Sequence, residues 1–142
     1  MASLIGTQPV REPPGRRNML LTGFVTLDGS GQQVLAVTNT TVGRPIRFSV
    51  ARTSAGVYTI TLMDKWAALV GCHVMTLVAG ATPANRGGVW KVDSAAVTGS
   101  TPTVVIRNEL AALAGAAGVA VDPPNNSVLL ITLIMDQGKI AR

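Results

Sequence analysis

The sequence predicts an all-β fold: an antiparallel β-sandwich, jelly-roll-like, of about eight strands, preceded by an extended N-terminal arm. Three observations predict it. Residues 52–62 pass through a Ser-Ala-Gly turn into strict alternation, with Tyr58, Ile60 and Leu62 opposed to Thr59 and Thr61. That is the period of a half-buried strand. Clusters of turn residues recur at short intervals along the chain. No sustained helical pattern separates them, which favours a sandwich or barrel over an α/β fold.

The arm comes first. Residues 1–19 hold Pro9, Pro13 and Pro14 with Arg11, Arg16 and Arg17, against a lone Glu12 and almost no periodic apolar pattern. Such a segment buries too little apolar surface to fold alone. It is either a disordered tail or a strap that orders on a partner. The sandwich domain then occupies residues 20–142.

Strands are expected at 20–27, 33–37, 45–51, 57–63, 72–79, 88–96, 103–108 and 127–135. The breaks between them are chemical: Asp28-Gly29-Ser30-Gly31, Thr41-Val42-Gly43, Thr53-Ser54-Ala55-Gly56, Asn85-Arg86-Gly87-Gly88, Thr98-Gly99-Ser100 and Asp122-Pro123-Pro124-Asn125-Asn126 all favour turns. Ile46, Phe48 and Val50 alternate with Arg47 and Ser49, and Trp90 and Val92 with Lys91 and Asp93. Residues 64–69 suit a single helical turn. Residues 109–121 are alanine-rich and suit a short helix or a long ordered loop, with Gly115 and Gly118 weakening the helix. No internal repeat occurs at solenoid or propeller spacing.

The last strand, 128–135, is apolar on nearly both faces. It must be covered on both, by the second sheet plus a neighbouring subunit or at the centre of a barrel. Leu130, Thr132 and Ile134 are therefore the candidate subunit interface. Composition points the same way. Apolar residues make up 47% of the 142-residue chain, but charged residues only 13%, about half the usual share. So few charges leave much surface to be covered by subunit contacts, which argues for a homo-oligomer.

Other covers fit less well. No run reaches the ~20 apolar residues of a spanning helix, and five aromatics are few for the girdles of a membrane barrel. Pro9, Arg11 and Pro13 stand where a signal peptide would place its apolar core, so no secretion signal is expected. The single cysteine, Cys72, excludes an internal disulfide and fits a reducing compartment.

Little in the chain suggests chemistry. His73 is the only histidine. It adjoins Cys72 in a predicted strand, where neighbours point to opposite faces and cannot form a thiolate–imidazole pair. One Cys and one His make no zinc site. The acids Glu12, Asp28, Asp64, Asp93, Glu109, Asp122 and Asp136 sit mostly in or beside turns, where aspartate caps the backbone. No phosphate loop or dinucleotide fingerprint is present. The chain reads as a non-enzyme without cofactor. The net charge of +5 is modest and scattered. Arg44, Arg47 and Arg52 flank one strand, but Phe48 falls on the face opposite Arg47, a poor stacking platform for nucleic acid. These arginines read as a solvated or intersubunit face.

Residues 52–62, together with 121–133 (Val-Asp-Pro-Pro-Asn-Asn-Ser-Val-Leu-Leu-Ile-Thr-Leu), resemble the jelly-roll capsid decoration, or cement, proteins of tailed bacteriophages. Trp90-Lys-Val-Asp-Ser and Thr103-Val-Val-Ile-Arg-Asn fit the same style of chain, so the likeness spans about 45–135. A glycine–tyrosine strand entry also occurs in trimeric heads of the tumour-necrosis-factor-like type, which carry far more aromatics. The resemblance implies a homotrimer on the outside of an icosahedral shell, bound to the major capsid protein and bridging capsomers. It implies location in the virion after synthesis in the host cytoplasm. The arm, with Arg11, Arg16 and Arg17, would then contact the capsid. The competing readings are a tail fibre, spike or adaptor subunit, and a carbohydrate-binding sandwich. For the last, Trp66 is the one aromatic not placed on a buried face.

Overall fold

The computed structural model describes residues 16–30, 32–77, 89–110 and 118–139. Residues 1–15 of the arm, including Arg11, and residues 111–117 of the alanine-rich segment lie outside this set. So do the predicted strand ends at 78–79 and 88.

Among the described residues nine strands follow in chain order: β1 (Arg16–Leu27), β2 (Val34–Thr38), β3 (Phe48–Ser54), β4 (Val57–Leu62), β5 (Ala68–Leu77), β6 (Val89–Ala96), β7 (Thr103–Leu110), β8 (Val119–Ala120) and β9 (Val128–Lys139). Every pairing is antiparallel. Sheet I has the order β2-β1-β9-β5 and sheet II the order β3-β4-β7-β6, with β8 beside the end of β7. The chain is an all-β antiparallel sandwich. In it β9 lies between β1 and β5, and β7 between β4 and β6.

Two expectations shift. Residues 16–19, expected in the arm, already pair with β9 as the start of β1, because the apolar Met19-Leu20-Leu21 run extends the ladder backwards. Residues 64–67 contain no helical turn, and β5 begins at Ala68. There the Trp66 N–H donates to the Val97 carbonyl at 3.0 Å and the Ala67 N–H to the Asp136 carbonyl at 2.8 Å. Contacts with other strands thus take up the backbone groups that a local helical turn would have satisfied.

The core lies between the sheets and follows the alternation. Leu129, Ile131, Leu133 and Met135 of β9 face Tyr58, Ile60, Val104 and Ile106 of sheet II, all fully buried. Each such side chain contributes about 1.5–3 kcal/mol relative to exposure. Gly23 suits the packing here. A Cβ there would come within 2.7 Å of Phe48 Cζ and 2.9 Å of Ile46 Cδ1, so a larger residue would force these side chains to shift.

Candidate interaction surface

Residues 52–62 and 121–133 meet in space. The β3–β4 turn places Gly56 at φ +69°, and a Cβ on it would lie 2.5–2.8 Å from the Val121 backbone. Both the conformation and the contact require glycine. The Arg52 guanidinium clamps the Asp122 carboxylate bidentately, Nε to Oδ1 at 3.0 Å and Nη2 to Oδ2 at 2.7 Å. The Gly56 N–H donates to Asp122 Oδ1 at 2.8 Å. These donors, the arginine first, hold the Asp122 pKa below the ordinary carboxylate value, and the carboxylate in turn raises that of Arg52. Asn108 completes the junction, its Nδ2 donating to the Val121 carbonyl at 3.0 Å. Arg52 is therefore a structural clamp and not part of a solvated or intersubunit face.

This corner is closed to ligands. Tyr58 is fully buried, tilted 56° against Trp90 at 5.9 Å between ring centres, and its hydroxyl donates to the Gln32 carbonyl at 3.0 Å. Burial first, then the Asp122 charge, raises its pKa. Trp66 is only 6% exposed, which removes the stacking platform proposed for a carbohydrate. Its turn folds inward under β6–β7, a placement that its polar neighbours Asp64 and Lys65 conceal.

Cys72 and His73 lie on opposite faces of β5: Cys72 packs against the core and His73 is exposed. Burial pushes the Cys72 thiol up to about 11, which makes it a poor nucleophile at neutral pH. Several acids serve backbone or ion-pair roles. Asp28 accepts from the Ser30 and Gln33 N–H groups, and Asp136 from that of Gly138. Asp64 pairs with Arg47. Among the described residues no three His, Cys, Asp or Glu side chains gather as a metal site would need.

The two outer faces differ in kind. On sheet I the register places Met75, Leu130 and Phe24 side by side on adjacent strands. The next rows hold His73, Thr132 and Thr22, then Gly71, Ile134 and Leu20, while Leu77, Val128 and Thr26 line the other flank. Met75 is 46% exposed, Leu20 60% and Ile134 37%. Leu130, Thr132 and Ile134 thus form the middle column of this face, flanked by Phe24, Leu20 and Met75. Sequence reasoning missed those three flanking residues. Alternation in β1 was visible, but only the β1–β9–β5 register shows which residues share a patch with Ile134.

Of the remaining predicted contact residues, Arg11 lies outside the described residues. Arg16 and Arg17 begin β1, the former opposite Lys139, and Arg17 is exposed. The outer face of sheet II instead carries Ser49, Thr61, Thr103, Thr59 and Val105, ending in charges. There Lys91 meets Glu109 at 2.8 Å, and Arg107 lies 3.3 Å from Glu109 and 3.8 Å from Asp93.

No protein-family model, curated protein or solved structure matches this chain.

Proposed function

We propose that this chain is a structural virion protein of a tailed bacteriophage, a homotrimer that binds the outer surface of the capsid and bridges neighbouring capsomers. The observation that carries the association is the apolar outer face of sheet I, centred on Leu130, Thr132 and Ile134 between Phe24, Leu20 and Met75. A patch of exposed and half-buried apolar side chains across three strands is the kind of surface that soluble proteins cover with a partner. The choice of a capsid as the second partner comes from the resemblance carried by residues 52–62 and 121–133. Repeated by shell symmetry, modest contacts from each subunit sum to a persistent coat through avidity.

Light scattering after size-exclusion chromatography tests the association. A trimer is expected, and a monomer at tens of micromolar would sink the reading. Co-sedimentation with purified capsids tests the partner. Deleting the arm abolishes capsid binding in this reading and leaves the trimer intact. Labelling on intact virions separates the shell from the tail.

A further inference from the structure

β1 is only half covered on one side. β2 pairs with Phe24–Leu27 alone, so among the described residues no strand pairs that edge of β1 from Arg16 to Gly23. Antiparallel strands offer hydrogen-bonding groups to each edge from alternate residues, so this stretch leaves about three residues' N–H and C=O groups open. Along it runs an open cleft of about 410 Å³, lined by Met19, Leu20, Leu21 and Thr22 on one side and by Asn39, Thr41, Arg44, Pro45, Arg47 and Phe48 on the other. Met19 and Leu21 point to one face of the strand, Leu20 and Thr22 to the other. A cleft lined from both faces follows the strand edge itself.

The opposite wall is held in place. Asn39 Nδ2 donates to the Pro45 carbonyl at 3.0 Å, and the Thr41 N–H donates to Asn39 Oδ1 at 2.8 Å. The Arg44 N–H closes a turn on the Thr41 carbonyl at 3.2 Å, with Gly43 at φ +81° and Val42 at its tip 99% exposed. Two arginines and no carboxylate line the cleft. Arg47 is paired with Asp64, but the Arg44 side chain has no ion pair among the described residues.

We propose that this edge is an acceptor for an extended acidic segment of a partner protein, added to sheet I as a strand beside β1. The open backbone groups supply the ladder that gives such additions their affinity. Met19, Leu20 and Pro45 supply apolar contact, and Arg44 selects carboxylates on the incoming strand. This proposal concerns the free edge of sheet I, which shares Leu20 and Thr22 with the outer face used by the virion reading.

The test uses the full chain and a fluorescein-labelled octapeptide of alternating glutamate and valine, followed by fluorescence anisotropy. Saturable binding is expected well below about 1 mM. Arg44→Glu is expected to weaken it about tenfold, with the circular dichroism spectrum unchanged because the Arg44 side chain is exposed. The same peptide N-methylated at alternate residues is expected to lose binding. Equal binding of the N-methylated peptide, or of a lysine–valine octapeptide, overturns the proposal, as does no binding at about 1 mM. Amide exchange at Asn18, Leu20 and Thr22, whose N–H groups point away from β9, supplies a readout without any variant. Peptide addition should slow it. Amides there as protected in the free chain as those of central β9 would mean that this chain's own N-terminal segment or a second copy fills the edge, which also overturns it.

Discussion

The two outer faces of the sandwich are built from the same pleat and the same kind of alternation, yet they differ in chemical balance, sheet I presenting the larger apolar side chains and sheet II the ion pairs. On sheet II the outward positions of β4 and β7 are Val57, Thr59, Thr61, Thr103, Val105 and Arg107, finished by a chain of ion pairs around Glu109. Short hydroxyl side chains there meet water without a partner. On sheet I the outward positions of β9 and β5 include Leu130, Ile134, Met75 and Leu77, with Thr132, His73 and Gly71 between them. The inward positions of both sheets are mostly apolar, with Asn108 and Thr76 as polar exceptions. An inward face must be apolar in any sandwich, so it says little about function. The outward face is free to vary, and a departure from polarity there points to association.

Predictions follow the strength of that contrast. The largest effect lies on the inward side of β9. Ile131→Ala removes a fully buried side chain and is expected to cost about 2–5 kcal/mol in urea unfolding, with no specific effect on association.

Next is the clamp that joins the two resembling segments. Asp122→Asn leaves Arg52 without its carboxylate, and a loss of about 1.5–3 kcal/mol is expected. The sign of its pH dependence is set by the lowered pKa of Asp122. The pair stabilises the fold above the ordinary carboxylate pKa of about 3.9 and loses that contribution as pH falls through the lower folded value. Acid titration of stability should therefore be shallower in Asp122→Asn than in the parent.

The outward side of β9 inverts the pattern. Ile134→Lys, at a position already 37% exposed, is expected to change folding stability by under about 1 kcal/mol. It should weaken self-association about tenfold or more, read by sedimentation velocity. Unchanged assembly in this variant would break the comparison between the faces. The smallest effect belongs to sheet II: Val105→Lys should move neither stability beyond about 0.5 kcal/mol nor assembly.

How much of this was legible depends on the range of the interaction. The strands at 57–62 and 128–135 were readable because alternation is local, written at every second residue. The burial of Tyr58 followed from the same pattern. Trp66 was misplaced because Asp64-Lys65-Trp66 looks like an exposed polar turn, whereas its backbone is tied to Val97, just past the end of β6. Arg52 and Asp122 are 70 residues apart, and nothing near either one names the other. Leu130, Thr132 and Ile134 were legible as an outward column, while their neighbours Phe24 and Met75 depended on register.

The sequence alone determined that this chain is a two-sheeted β protein with an apolar last strand and too few charges for an ordinary surface. Side-chain periodicity and composition are properties of the chain itself, so no fold is needed to see them. Only the tertiary structure decided which strands stand beside β9, that an arginine in an apparent surface set clamps Asp122, and that β2 pairs with only the last part of β1. Each of those is a pairing between residues distant along the chain, and pairing is settled by the joint packing of all the strands.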